Sequence, residues 1–155
     1  MASLLQWQCH AFDDFTPHTL YEMLRLRDQV FVLEQQSIYG DLDNLDQVAL
    51  HLCGRDGAGR LIAYARLLAP GDKYDGACAI TRVVVEPAAR GTGIGRRLLA
   101  EALEQCASRF PGVAQKLSAQ ITAQDFYLSF GFRQVSEPYD DGGILHADML
   151  RDAVN

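Results

Sequence analysis

The chain has 155 residues, a formal net charge of −6, and 48% hydrophobic against 22% charged residues. That length suits one domain with a core of its own, and the composition is that of a globular rather than a disordered or fibrous chain. The negative charge argues against nucleic acid or an anionic membrane as partner, and no apolar stretch approaches the length of a membrane span.

Residues 5–11 alternate weakly and predict a first strand. Thr16 and Pro17 suit the N-cap and first turn of a helix. Leu20, Met23, Leu24, Arg27, Val30 and Phe31 recur at helical spacing, so this helix runs from about residue 17 toward 31. A capping box is expected between Thr19 and Glu22. Residues 34–46 then form a polar loop holding Asp41, Asp43 and Asp46. It is not a calcium loop, because Asp46 and Leu52 stand where that loop needs glycine and glutamate. It reads either as a solvated turn or as an acidic rim that draws a cationic amine.

Residues 48–56 and 60–69 are strand-like runs joined across Gly57-Ala58-Gly59, the pattern of a hairpin. Val83, Val84 and Val85 predict a strand over residues 80–86, and the unbroken apolar run suggests burial on both faces. Pro87 ends it, since proline has no N–H for the ladder. Gly91, Gly93 and Gly95 then alternate with Thr92 and Ile94. Ile94, Leu98, Ala102 and Cys106 follow on one stripe with Leu99 and Leu103, which predicts an amphipathic helix over residues 95–109. A glycine-rich turn opening a helix presents free N–H groups at the positive end of the helix dipole, where a phosphate or pyrophosphate fits. Arg90 and Arg96 flank the turn and can add charge-assisted bonds. The spacing is neither the Gly-x-Gly-x-x-Gly of dinucleotide sites nor a triphosphate loop, which would end in Gly-Lys-Ser/Thr.

Residues 116–121 read as a short strand. Thr122 can cap a short helix with Phe126 and Phe130 one turn apart, and Gly131 suits the left-handed residue after it. Residues 134–137 and 144–150 are the last candidate strands, separated by the turn-forming Asp140-Asp141-Gly142-Gly143. There is no repeat, linker or low-complexity tract, so residues 1–155 read as a single domain. Cys9, Cys53, Cys78 and Cys106 show no metal spacing and read as reduced thiols, with no metal expected. Residues 1–4 lack the plan of a signal peptide, which points to the cytoplasm.

Arg90-Gly91-Thr92-Gly93-Ile94-Gly95, after a valine-rich strand, resembles the acyl-CoA motif Arg/Gln-x-x-Gly-x-Gly/Ala of the GNAT acetyltransferases. Phe126-Tyr127-x-x-Phe130-Gly131-Phe132 is similar to the second hallmark of that superfamily. Arg27-Asp-Gln-Val-Phe-Val-Leu-Glu-Gln35 with Tyr39, Asp43, Asp46 and His51 resembles its ElaA-like subgroup. So do Ala119-Gln120 and Gly143-Ile144-Leu145-His146. Thr81 and Leu145 depart from the subgroup, which often has glycine and proline there.

The resemblance implies an α+β fold: a mostly antiparallel sheet of six or seven strands flanked by helices. It implies an N-acetyltransferase moving acetyl from acetyl-CoA to a primary amine, on a small molecule or peptide, by direct attack in a ternary complex. The backbone of Val83, Val84 and Val85 would bind pantetheine and supply an oxyanion N–H. Arg90, Gly91, Thr92, Gly93, Ile94, Gly95 and Arg96 would hold the pyrophosphate, with Gln120, Phe126 and Tyr127 also against the cofactor. Tyr127 would be the general acid for the departing thiolate. The base stays open among His51, His146, Glu34 and the three aspartates, the same Asp41, Asp43 and Asp46 that would draw the acceptor. A homodimer is left open. The alternative is a CoA-binding sensor or interaction module without transferase chemistry; the tyrosine favours an enzyme.

Overall fold

The structure, a computed structural model, describes residues 5–37 and 39–153; residues 1–4, on which the signal-peptide reading rests, lie outside it. Strand β1 is Gln6–Ala11. Helix α1, Pro17–Arg27, starts where threonine and proline predict. Its capping box closes between Thr16 and Thr19 rather than at Glu22, with Thr19 N–H on Thr16 Oγ1 at 3.1 Å. The Glu22 carboxylate instead accepts from Arg55 at 2.7 Å, across the hairpin. The helix continues as a π-helix over Asp28–Glu34.

The predicted hairpin is β2, Leu50–Arg55, and β3, Leu61–Leu68. Strand β4, Ala77–Val85, begins three residues before the expected start, because Ala77–Ala79 find a partner in a later strand. Helix α2 spans Ile94–Arg109, and all six residues of its predicted stripe are buried. Strand β5 is Ala114–Gln120 and helix α3 is Gln124–Leu128. A 3-10 turn over Ile121–Ala123 precedes α3, so Thr122 lies inside that turn and does not cap. Three strands finish the chain: β6, Arg133–Gln134; β7, Tyr139–Asp141; and β8, Ile144–Arg151. Asp140 and Asp141 are therefore strand residues, and only Gly142-Gly143 turn.

The eight strands form one sheet in the order β1-β2-β3-β4-β5-β8-β6, with β7 also on β8. Every neighbouring pair is antiparallel except β4 and β5. Helix α1 covers one face, where Met23, Leu26 and Val30 pack on Cys53, Tyr64 and Val84. Helix α2 covers the other, where Leu98, Leu99 and Ala102 meet Leu52, Ile62, Leu67 and Ile80. Burying each such side chain contributes about 1.5–3 kcal/mol, so the two layers hold the sheet from both sides.

Two irregularities of β4 shape the site. It pairs with β5 only through Ala77, Cys78 and Ala79, opposite Ala114, Gln115 and Lys116. Beyond those residues the two parallel strands part, leaving Ile80–Val85 and Leu117–Gln120 as facing free edges. This is why Val83 and Val85 are only half-buried while Val84, turned toward α1, is buried. The second irregularity is a bulge. Tyr64 pairs with Val84 and Arg66 with Thr81, so Arg82 and Val83 together oppose one β3 residue. Arg82 takes a φ of 53°, a left-handed conformation that a long side chain adopts only when its surroundings hold it there.

Candidate active site

The gap between β4 and β5 opens into a cleft of about 340 Å³. Strand alternation gives it two walls. Ile80, Val83 and Leu117 belong to the core under α2, and Tyr127 of α3 joins them there. Ser118, Gln120 and His146 are the alternate residues of β5 and β8, so they point to the α1 face. Phe31 and Gln35, at the end of the first helical segment, and Tyr39 and Asp41 of the loop close that side. The cleft thus passes through the sheet, with an apolar wall on the α2 face and a polar wall on the α1 face.

On the α2 face, β4 runs into the glycine turn. Gly91 and Gly93 both have φ of 81°, and a Cβ built on either would meet nothing within 4 Å. Gly93 is the N-cap of α2, whose first internal bond runs from Arg97 N–H to the Gly93 carbonyl at 3.3 Å. The N–H groups of Ile94, Gly95 and Arg96 therefore point out of the helix end with no intrahelical partner. Gly95 itself is helical, and its Cβ position stands 4.0 Å from Val85 Cγ2. Thr92 stiffens the turn by donating to the Ala89 carbonyl at 2.8 Å. The turn and the free edge of β4 fit a pyrophosphate followed by an extended amide arm, which suits the N–H and C=O groups those residues expose.

The two flanking arginines are held by neighbours. Arg90 donates to the Val85 carbonyl at 3.2 Å and ion-pairs with Glu34 at 2.9 Å. Arg96 lies 4.6 Å from the Phe130 ring centroid and donates to Ser129 at 3.1 Å, joining the turn to α3. Phe126 stacks edge-on against Tyr127 at 5.2 Å. Burial pushes the Tyr127 phenol up to about 12, so it stays protonated at neutral pH.

The α1 face corrects several expectations. Asp41, Asp43 and Asp46 do not make an acidic rim: they are matched by Arg27, Arg66 and Arg82. Arg27 bonds Asp41 at 2.8 Å and Asp46 at 2.7 Å. Arg66 bonds Asp43 at 2.7 Å and Asp46 at 2.9 Å, and its Nε donates to Thr81 Oγ1 at 2.9 Å. Arg82 bonds Asp41 at 2.7 Å and Asp43 at 3.3 Å. Arg27 and Arg66 have no exposed surface. Burial by itself would raise the Asp43 and Asp46 carboxyls, but the arginine bonds overcome it and hold both below the usual carboxylate range. Negative charge so engaged is not free to attract an amine.

His51 is likewise removed from the candidate bases. It is fully buried beneath the loop, and both ring nitrogens are used. Nε2 meets the Asp46 carbonyl at 2.9 Å, and a carbonyl only accepts, so Nε2 carries the proton. Nδ1 then accepts from the Tyr64 hydroxyl at 2.6 Å. Burial pushes its pKa below the ordinary histidine value, which keeps the ring neutral. Glu34 clamps Arg90 and is not among the residues lining the cleft.

His146 does line the cleft. Its Nδ1 lies 2.8 Å from the Ile144 carbonyl, so Nδ1 is the donor and Nε2 carries the lone pair. Tyr139 stacks on this ring at 6.4 Å with 21° between planes. Gln120 shares the face of Ser118 and His146, so any contact it makes with a ligand on the α2 side falls to its backbone. The sequence reading missed Lys73, Ser118, Tyr139 and Asp141. Ser118, Lys73 and Asp141 line the cleft, and Tyr139 bonds Ser118 at 2.5 Å. Lone polar residues in turns and on strands carry no motif; the pairing of β5, β7 and β8 assembles Ser118, Tyr139 and Asp141, and the turn between β3 and β4 brings Lys73 to the same cleft.

Among the described residues no helix is long and apolar enough to cross a membrane, and no group of three or more His, Cys, Asp or Glu is placed to hold a metal ion.

Residues 11–152 match the family model described as an acetyltransferase (GNAT) domain. Protein ElaA of Escherichia coli K12 is 37% identical over 97% of this chain and 99% of its own. A UPF0039 protein of Synechocystis is 39% identical over 94% of both chains. Among solved structures, an acyl-CoA N-acyltransferase from Pseudomonas aeruginosa superposes with a TM-score of 0.90 at 39% identity, covering 96% of this chain and 99% of that one. The crystal structure of E. coli ElaA gives 0.88 at 36% identity, covering 96% and 100%. A glycine turn facing a split between parallel strands is thus found here with relatives along nearly the whole chain, and the protein belongs to the GNAT acetyltransferase family as an acyl-CoA-dependent acyltransferase.

Proposed function

We propose that the protein transfers an acetyl group from acetyl-CoA to a primary amine by direct attack in a ternary complex, in the cytoplasm. The reading rests on one observation: the cleft through the sheet has a protonated phenol on its α2 wall and an imidazole lone pair on its α1 wall. Acyl transfer from a thioester needs a proton removed from the amine and one delivered to the sulfur, and these two groups meet the two needs from opposite sides.

The glycine turn and Arg96 hold the pyrophosphate, while the free edge of β4 from Ile80 to Val85 pairs with the pantetheine amides. A backbone N–H at the Arg82–Val83 bulge, where the ladder with β3 is interrupted, stabilises the developing oxyanion; such a donor contributes about 3 kcal/mol in other enzymes. His146 Nε2 takes the amine proton, and Tyr127 gives its proton to the leaving sulfur. A phenol near 12 is well matched to that role because it remains protonated across the working range. The buried arginine–aspartate cluster holds the bulge by fixing the Arg82 side chain.

The test is release of free thiol from acetyl-CoA in the presence of an amine panel, with acetylated product identified by mass. Thiol release that depends on an amine supports transfer. Tight acetyl-CoA binding with no amine-dependent thiol across the panel supports the sensor reading in its place.

A further inference from the structure

The polar wall of the cleft has two poles, and their chemistry narrows the acceptor. At one pole the groups offer lone pairs. Asp148 is a carboxylate, so Tyr139 must donate to it along their 2.6 Å bond. The Tyr139 oxygen is then the acceptor in its 2.5 Å bond with Ser118, and the Ser118 proton is committed to it. Ser118 Oγ can therefore only accept from a ligand in the cleft. His146 Nε2 is an acceptor for the reason given above, and Asp141, which also acts on Lys73, lines the same cleft. These groups suit an amine.

The other pole is cationic. Lys73, in the turn between β3 and β4, lines the cleft and joins none of the ion pairs among the described residues. Its ammonium lies 5.6 Å from the Tyr74 ring centroid. Nearby, Arg82 uses Nε and Nη2 on Asp41 and Asp43, and its Nη1 has no protein partner among the described residues. The three loop aspartates are matched one for one by three arginines, so Lys73 is a cation beyond that balance. Desolvation, then the neighbouring Arg82 and Arg66, lower the Lys73 pKa more than Asp43 and Asp141 raise it, and an anion placed there would offset that cost. Nor is this a cofactor phosphate site. Lys73 precedes β4 and the glycine turn follows it, so the nine residues of β4, about 30 Å of strand, stand between them.

We propose that the acceptor is a small zwitterionic amino compound of the amino-acid type, with its anionic group at Lys73 and Arg82 Nη1 and its amine at Ser118 and His146. The inference rests on the acetyl-transfer reading for its choice of reacting amine. A monoamine leaves the cationic pole without a partner, and a polyamine meets repulsion from Lys73 and Arg82.

The test pairs amino acids with their own carboxamides and with the corresponding decarboxylated amines. Each is assayed with acetyl-CoA for kcat/KM and titrated calorimetrically into CoA-loaded protein. Amidation removes the negative charge and lowers the pKa of the amine, so the bias in free amine runs against the proposal. The wild type should prefer carboxylates over carboxamides by about ten-fold or more, as expected for a hydrogen bond to a charged group. Lys73→Gln should erase most of that ratio, in turnover and in binding, with the acetyl-CoA Kd serving as the folding control. Equal or better use of carboxamides or monoamines overturns the proposal, as does a preference retained in Lys73→Gln. Carboxylate-selective binding without thiol release upholds this site and counts against acetyl transfer. Transfer to monoamines alone does the reverse.

Discussion

The glycine turn at residues 90–96 and the aspartate loop at residues 41–46 both concentrate polar groups beside β4, and they use them in opposite ways. The turn keeps its donors open: Gly91 and Gly93 have left-handed backbones with empty space above them, and the first N–H groups of α2 have no internal partner. The loop closes its charges on themselves, with three carboxylates satisfied by three arginines, two of them fully buried. One region leaves donors free and the other spends its charges on holding a backbone. A group's availability, rather than its charge, separates recognition from scaffolding, and the same test separates His146 from His51.

The comparison breaks most visibly at Asp46. Asp46→Ala leaves Arg27 and Arg66 each short of a carboxylate in a dry site, which should cost about 3–5 kcal/mol in urea denaturation. A loss below about 1 kcal/mol would mean that the loop is solvated after all. Next come the groups given chemical roles. His146→Gln and Tyr127→Phe should each lower kcat roughly 100-fold, at the lower end for proton transfer, with the acetyl-CoA Kd little changed. His51→Gln should instead lower stability, with kcat per folded molecule retained. Unchanged turnover in Tyr127→Phe would leave that ring a packing residue beside Phe132.

Gly95→Glu sharpens the other side. Gly95 is helical, so the substitution is free of backbone strain, but it sets a carboxylate where the pyrophosphate would bind. Acetyl-CoA affinity should fall about ten-fold or more at low salt, recovering partly as salt screens the repulsion, while thermal stability stays near wild type. Calorimetry showing unchanged affinity removes the turn from the cofactor site.

A smaller effect tests the buried histidine by pH. The folded-state pKa of His51 lies below the unfolded value of about 6.5, so the unfolded chain binds more protons in that range. Its contribution to stability is complete above that value and is lost as pH falls through the folded-state pKa. Denaturation midpoints should therefore drop from pH 7.5 toward 5, and His51→Gln should flatten the slope. Asp43 and Asp46 add their own loss only below about pH 4, as they protonate. Smallest of all is Glu34→Gln. Its exposed pair with Arg90 is worth under about 1 kcal/mol, and kcat should stay within about two-fold. A loss on the scale of His146→Gln would return Glu34 to the bases.

Much of the α2 side was legible from local pattern. The apolar stripe from Ile94 to Cys106 and the alternating glycines each state their structure within about one helical turn, and each is found as expected. In the Phe126–Phe132 run the left-handed Gly131 is as expected, but the helix ends at Leu128, before Phe130, and Thr122 does not cap it. Burial of Cys53, Cys78 and Cys106 also follows from their apolar neighbours. By contrast, Arg27 falls on the helical stripe as if it were a core residue, and its position is indeed buried. Nothing local says that its charge is answered by Asp41 and Asp46, fourteen and nineteen residues onward.

By itself the sequence carried the motifs that resemble the family, and it determined the glycine turn and most of the elements, because periodicity and glycine placement act over a few residues. Only the tertiary structure decided which polar groups remain free. Parting of β4 from β5 after Ala79 opens the cleft, and the bulge at Arg82 turns its guanidinium onto the loop. The pairing of β8 with β5 and β7 sets His146, Ser118 and Tyr139 on one wall. Hydrogen-bond partners come from distant segments, so a histidine at position 51 and one at position 146 look alike in the chain. The difference is physical: among the described residues, packing supplies partners to both nitrogens of His51, and to only one of His146.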